Sequence, residues 1–264
     1  MAAAGGDAHA RLLSLGGGDK RNAIARDASA ALLCADAAAA ESARAAVAAR
    51  AAELAEEYGT LETGLAVAVE VGEPAGAEPL APESAERLLS LLALLPHGAL
   101  KYSHAIEGLV ETSNNVASAH LSADGTSYEL VTATRSSITP ALERVRRTIK
   151  AAAERCGGTT VQPDFYPGWA PDTQSAVLSV VKEELAAITG ETPEVKAIHA
   201  GLECGILKEK VATQCGAKLD CVSYGPTITG AHSPDERVQI STVAPFFTLT
   251  QAVLARLAQV RASS

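Results

Sequence analysis

Residues 116–134 of the chain read VASAHLSADGTSYELVTAT, with two runs suited to β-strands on either side of Asp124-Gly125. An Asp-Gly pair between such runs is a strong signal for a β-hairpin, because the favoured two-residue turns need a positive φ that these residues tolerate. The stretch therefore predicts a hairpin with strands at Val116–Ser122 and Thr126–Thr134. No other turn signal in the chain is as strong.

Helical and extended patterns flank this hairpin. The predicted strands are Arg11–Leu15, which runs into three glycines, and its hairpin partner Ala28–Cys34. A further strand is predicted at Leu65–Val71, where apolar residues alternate with smaller ones. The predicted helices are Asp36–Glu57, Glu83–Leu95 and a third that begins at Thr139-Pro140. Helices that alternate with an antiparallel strand pair indicate an α+β fold of two layers for this part of the chain.

The pattern changes after residues 162–171, where three prolines and the only tryptophan, Trp169, cluster. The elements predicted beyond this break are a helix at Gln174–Ile188, short strands at Val195–His199 and Leu219–Tyr224, and a final helix at Val243–Val260. Open α/β sheets place their sites in the loops at strand ends. Two strands cannot close such a sheet. We therefore predict a two-layer α+β domain at 1–162, followed by the C-terminal part of an α/β domain at 163–264.

Composition excludes several classes of protein. The chain has 264 residues, 47% of them apolar, which is enough for a sizeable core. Its net charge of -9 argues against a nucleic-acid-binding protein. We find no apolar stretch near the about 18–20 residues of a membrane-spanning helix, and no secretory signal at 1–7.

The cysteines indicate a reducing compartment. Five of them, with no Cys-x-x-Cys pair, do not suggest a disulfide framework, so we expect free thiols and a cytoplasmic location. Cys204, Cys215 and Cys221 could in principle share a metal, but free cysteines more often behave as small buried hydrophobes.

Two histidines and one arginine are candidates for a functional site. His199 and His232 each follow a predicted strand in a glycine-rich loop, as a zinc ligand held by neighbouring polar groups would. A loop histidine is also a common surface residue, and Ser233-Pro234-Asp235-Glu236 fits a capping box at a helix start. Arg135 ends a hairpin strand, where it is either a solvated edge residue or a clamp for a carboxylate.

Several motifs occur in one order along almost the whole chain. They are GGDKRNAI at 17–24, GLVETSNN at 108–115, RSS at 135–137, YPGW at 166–169, HAGLECG at 199–205, and GP at 225–226 followed by HSPDERV at 232–238. This set resembles the aminoacyl-histidine dipeptidases, a family of cytosolic nonspecific dipeptidases. HAGLECG with a downstream HSPDE is its most specific element.

The resemblance implies a zinc enzyme. Members of this family have an α/β catalytic domain that holds two zinc ions, interrupted by an α+β lid domain. A water that bridges the metals attacks the peptide carbonyl, with a glutamate as general base. By this resemblance His232 would be the last zinc ligand, and Asn22 and Arg135 would hold the carbonyl and terminal carboxylate of the substrate. The backbone around Gly205 would line the pocket, and we place His199 with these substrate-binding residues.

The resemblance also implies that part of the catalytic machinery lies elsewhere. In the family the other metal ligands and the general base precede the lid, and this chain contains none of them. A catalytic zinc needs about three protein ligands, so His232 alone would not retain one. We expect the C-terminal half of a dipeptidase that acts on substrates such as Xaa-His, inactive alone, in a homodimer or with an N-terminal half, and without nucleic-acid or membrane partners.

Two alternatives remain open. The chain could be a non-catalytic protein that keeps the lid surface and pairs with an intact dipeptidase. It could also be an incomplete gene product, whose uncovered apolar faces would bind hydrophobic dyes.

Overall fold

The computed structural model describes residues 10–73, 76, 78–104, 106–163, 168–169, 172, 174–196, 203–231 and 235–262. The chain divides into two compact units. The first comprises 1–100, 113–134 and 143–162, and the second comprises 101–112, 135–142 and 163–264. The assignment of 1–162 to a lid and 163–264 to a catalytic domain remains a prediction.

A five-stranded sheet contains the predicted hairpin. Its strands are β1 (Ala10–Gly17), β2 (Ala28–Cys34), β3 (Gly98–Tyr102), β4 (Val110–Leu121) and β5 (Tyr128–Ser136). The strand order is β2-β1-β4-β3, and β5 pairs with β4. β1 and β2 are antiparallel, with Ala10 opposite Cys34 and Gly17 opposite Ala28. The hairpin prediction is confirmed, with a β4 that starts earlier than the pattern indicated.

Asp124 organises the hairpin turn. Its Oδ1 accepts hydrogen bonds from Ser122 Oγ at 2.6 Å, Thr126 N at 3.1 Å and Thr126 Oγ1 at 2.9 Å. These bonds stabilise the carboxylate and lower the pKa of Asp124 from 3.8 to about 2. Gly125 follows with a φ of 71°, in the left-handed region that glycine enters without steric cost.

Three helices accompany the sheet: α1 (Ala37–Tyr58), α2 (Pro82–Leu94) and α3 (Thr139–Arg155). The Asp36 side chain caps α1 by accepting from Ala39 N at 2.8 Å, and Pro82 occupies the first turn of α2, where a missing N–H costs nothing. The apolar residues buried in the first unit come from strands and helices alike: Leu12, Leu88, Leu95, Ala117, Ala119, Val145 and Ala153.

The prediction of a strand at Leu65–Val71 is wrong. All of these residues are described, and none of them lies in a strand or pairs with the sheet. Val67 and Val69 instead line a shallow cavity with Val47 and Ala48 of α1. The four alternating apolar side chains stay exposed, so the pattern marks neither a paired strand nor a buried face.

The second unit is built largely from three helices: α4 (Ala176–Thr189), α5 (Glu203–Cys215) and α6 (Val243–Ala262). Its core is the cluster of Val181, Leu249 and Val253, against which Val222 and Tyr224 pack. The unit also contains two strands of two residues each, β6 (Ile228–Thr229) and β7 (Arg237–Val238), which pair antiparallel.

The structure differs from the sequence predictions at four places in this unit. Helix α5 was not predicted, and Leu219–Tyr224 is not a strand. Asp235 lies in a turn and is soon followed by β7, so no helix starts there as the capping-box interpretation required. Val195 is not in a strand either, and the rest of that predicted strand, Ala197–His199, lies outside the described residues.

Helix α6 also corrects the composition analysis. The segment Ile240–Gln259 is long and apolar enough, by length and composition, to cross a membrane, with a mean hydropathy of 1.3. In the structure Leu249 and Val253 of this helix are buried in the core, and Arg256 pairs with Glu183 and Glu184 of α4. One side of α6 therefore packs on α4, although only 11% of the segment is buried, and α6 is not a clear membrane span.

Candidate substrate-binding site

The loop that carries Asn22 connects β1 to β2 and is held against β4. Asn115 Nδ2 donates to Ala23 O at 2.7 Å, and His120 Nε2 donates to Gly18 O at 2.7 Å. Gly18 has a φ of 66°, and a Cβ there would lie 1.9 Å from Ala117 O, so the loop approaches β4 as closely as only glycine permits. The Asn22 side chain is exposed at the tip of this anchored loop.

Arg135 is followed by a turn that three contacts fix. Ser136 is buried, and its Oγ lies 2.9 Å from Thr112 Oγ1 and accepts from Ile138 N at 3.1 Å. Ser137 N donates to Glu111 O at 3.1 Å. The backbone that follows Arg135 is therefore held in place by these contacts. Arg135 itself is exposed.

Gly168 packs against the same turn. A Cβ at this position would lie 2.0 Å from Ser136 O and 2.6 Å from Ser137 Cα. The glycine of the YPGW motif thus lets two backbone segments touch. This contact explains why the motif has a glycine at residue 168, which could not be deduced from the sequence.

Glu111 anchors the start of β4 beside the Arg135 turn. Lys101 Nζ donates to both of its carboxylate oxygens, at 2.8 and 3.0 Å, and the Glu111 side chain is only 8% exposed. The ETSNN stretch at 111–115 therefore serves both loops: its first two residues hold the turn after Arg135, and Asn115 holds the loop of Asn22. Sequence reasoning quoted this stretch as a motif without assigning it a role.

Gly205 is buried in α5 and lines a cavity of about 290 Å³ within the second unit. The other lining residues are Thr139, Gly168, Trp169, Lys208, Glu209, Ala212, Ala217, Lys218 and Leu219. Trp169 Nε1 is buried and has no hydrogen-bond partner among the described residues. Because a buried N–H without an acceptor costs free energy, a ligand oxygen at this position would be favourable.

Sequence reasoning missed the charged residues of this cavity. Lys218 lies 3.6 Å from Asp172, and Lys208 is one helical turn beyond Cys204 on α5. The signals that would have found α5 are the acidic Glu203 in its first turn and Gly216, which follows its last residue with a φ of 63°.

His199 and His232 lie outside the described residues, so their roles remain predictions. Within the described ranges no three histidine, cysteine, aspartate or glutamate side chains come together as a metal site would require. The described residues do not by themselves fit a zinc centre, and we assign no reaction step to a metal here.

The comparisons with known proteins agree with one another. The chain is 34% identical over 245 residues to the cytosol non-specific dipeptidase of Escherichia coli strain K12. The match covers 92% of this chain. The matched region is the C-terminal part of that dipeptidase. No family model matches the sequence.

The fold comparison supports the same relationship. The crystal structure of aminoacylhistidine dipeptidase from Vibrio alginolyticus superposes with a TM-score of 0.80 and 32% identity, over 94% of this chain. The mixed α and β architecture of the chain is thus that of a dipeptidase. The chain spans about half the length of these relatives, 48% of the first and 49% of the second.

Proposed function

We propose that the chain is the substrate-holding C-terminal part of a zinc-dependent dipeptidase that acts on dipeptides such as Xaa-His, and that it has no activity alone. The observation that carries this proposal is the 34% identity to a dipeptidase along 92% of the chain. The described residues bring together no metal-ligand group. Hydrolysis would therefore need ligands and a general base from the part of the relatives that this chain does not cover.

The residues of this chain would bind and orient the dipeptide. The Arg135 guanidinium can hold the terminal carboxylate with two parallel hydrogen bonds, and Asn22 Nδ2 can donate to the peptide carbonyl. The fixed turn after Arg135 and the anchored loop of Asn22 support these roles. Gly205 would form a pocket wall together with His199, and His232 would supply one zinc ligand.

Reconstitution tests the proposal. The chain is mixed with the N-terminal half of the Escherichia coli relative, complex formation is checked by size-exclusion chromatography, and histidine release from an Xaa-His dipeptide is measured with added zinc. We expect release from the complex and none from the chain alone. A complex that binds zinc but leaves the dipeptide intact would contradict the proposal.

Arg135→Ala sharpens this test. We expect it to raise the KM of the complex for a dipeptide and to leave binding of a dipeptide amide, which has no terminal carboxylate, unchanged. Arg147→Ala, which removes an exposed arginine of α3, is the matched control. An equal effect of both variants would mean that Arg135 does not hold the carboxylate.

A second candidate function is a non-catalytic protein that pairs with an intact dipeptidase or with itself in the cytoplasm. Exposed apolar side chains favour it, among them Val71, at 72%, and Phe247, at 61% exposure. Light scattering of the chain alone and with an intact relative tests it. A monomer that binds neither itself nor the relative would exclude this function.

A further inference from the structure

Two of the five cysteines form a contacting pair. Cys204 lies in the first turn of α5, and Cys221 lies in segment 219–224, whose Val222 and Tyr224 pack on the core of the second unit. The two thiols lie close enough for Cys204 to raise the pKa of Cys221, through its charge and as a hydrogen-bond partner. The residues beside them, Gly205 and Leu219, line the same cavity, which independently places the two segments side by side.

The other cysteines are not in this position. Cys34 and Cys156 belong to the first unit. Cys215 is exposed and is the last residue of α5, eleven residues after Cys204. At 1.5 Å rise per residue this is about 16 Å along the helix, beyond the reach of a disulfide from Cys204.

The surroundings give the two sulfurs different roles. Burial raises the pKa of the Cys221 thiol, the neighbouring Cys204 raises it further, and the Lys208 ammonium acts in the opposite direction. The raised pKa makes Cys221 less ready to attack than an ordinary thiol, so we place the first attack on Cys204. Both thiols are half-buried, so a small reagent can reach them.

We propose that Cys204 and Cys221 are a redox site that forms a reversible disulfide with a low-molecular-weight disulfide of the glutathione type as oxidant. The Cys204 thiolate attacks one sulfur of R–S–S–R, and R–S⁻ leaves and takes up a proton. Cys221 then loses its proton and attacks the Cys204 sulfur, which releases the second R–S⁻. Two protein thiols lose two electrons in total, and the reagent is reduced to two R–SH molecules.

The bridge would tie the start of α5 to segment 219–224 on the two sides of the Gly205 cavity. Trp169, the only tryptophan of the chain, lines this cavity and reports on it. If the dipeptidase proposal holds, oxidation would act on a wall of the substrate pocket. The disulfide itself does not depend on that proposal.

Peptide mapping tests the inference without any activity assay. The reduced chain is exposed to excess oxidised glutathione, free thiols are blocked with maleimide, and the protein is digested with trypsin. We expect the peptides 197–208 and 219–237 to be linked to each other, and the link to disappear with dithiothreitol. The emission of Trp169 should change on oxidation and recover on reduction.

Variants supply the controls. Cys221→Ser should stop at a glutathione adduct on Cys204 and lose the emission change, whereas Cys215→Ser should form the link as the natural chain does. The inference is wrong if Cys204 and Cys221 still take up maleimide when Cys215 carries glutathione, or if either is linked to another cysteine. The natural chain alone decides this, whatever the folding of the variants.

Discussion

Gly168 is the single residue whose replacement should most directly disturb the Arg135 turn. A Cβ there would meet backbone atoms of Ser136 and Ser137, which cannot move aside as a side chain can. We expect Gly168→Ala to lower the free energy of unfolding by about 1–3 kcal/mol, the usual cost of overpacking. Urea denaturation followed through Trp169 fluorescence measures it.

Gly225→Ala is the matched control, because a Cβ at residue 225 would meet no described atom within 4 Å. We expect its effect to stay within about 0.5 kcal/mol. If both variants lowered the free energy of unfolding equally, the close contact at Gly168 would not be the cause of the destabilisation.

Asp124 should give the hairpin a pH dependence. Its pKa in the folded chain is about 2 against an ordinary 3.8, so the folded turn prefers the ionised carboxylate. The contribution to stability is present above 3.8 and is lost as pH falls through about 2. In an NMR titration the Thr126 amide should shift with a midpoint near 2, and Asp124→Asn should remove that shift. A titration midpoint at 3.8 would show that the three hydrogen bonds to Asp124 do not lower its pKa.

Residue roles near the candidate site were only partly predictable. Asp124-Gly125 is a local signal, and its turn followed from the two residues alone. The hydrogen bond from Asn115 to Ala23 joins residues 92 positions apart, and no local sequence pattern predicts it. The motif order supplied Asn22 and Arg135 as candidates, but only the fold shows what holds their loops.

At the scale of single elements, the start of α4 makes the clearest prediction. Ser175 is buried, and its Oγ accepts from Leu178 N at 2.9 Å. We expect Ser175→Ala to cost about 0.5–2 kcal/mol, the usual loss of an N-cap. Ser179→Ala is the control, because that hydroxyl donates to the Ser175 carbonyl and caps no free N–H. Thermal denaturation of both variants gives the comparison.

Asp220 reinforces this helix start. Burial opposes its ionisation, but hydrogen bonds from Ser175 and from the backbone of Val177 and Ala176 outweigh burial and leave the pKa of Asp220 below 3.8. Its contribution is therefore present above 3.8 and is lost as pH falls through the lower folded pKa. In Asp220→Asn the acid-induced loss of α4 stability in this window should disappear, as measured by circular dichroism against pH.

The elements that the sequence mispredicted share a physical cause. Alternation at Leu65–Val71 predicts a strand with one covered side, but in the structure the four alternating apolar side chains are all exposed. Helix α5 interrupts its pattern with Gly205, and its apolar residues do not form a clean stripe. The long helices α1, α3, α4 and α6 were predictable because their signals repeat over several turns.

At the scale of the whole molecule, α6 combines a buried and an exposed apolar side. Leu249 is 3% exposed, and Leu254 is 62% exposed. We expect Leu249→Ala to cost about 2–5 kcal/mol. Leu254→Ser should leave stability within about 0.5 kcal/mol and reduce the binding of a hydrophobic dye. Unchanged dye fluorescence in Leu254→Ser would show that another surface binds the dye.

Helix α1 has a consequence for the motions of the chain. It is 22 residues long, all of them described, and none is buried. Its stability rests on alanine propensity, the Asp36 cap and pairs such as Arg44–Glu41 rather than on the core. Such a helix opens locally while the sheet stays intact. In deuterium exchange its amides should label long before those of α6, as an almost autonomous unit that melts and reforms within the native state.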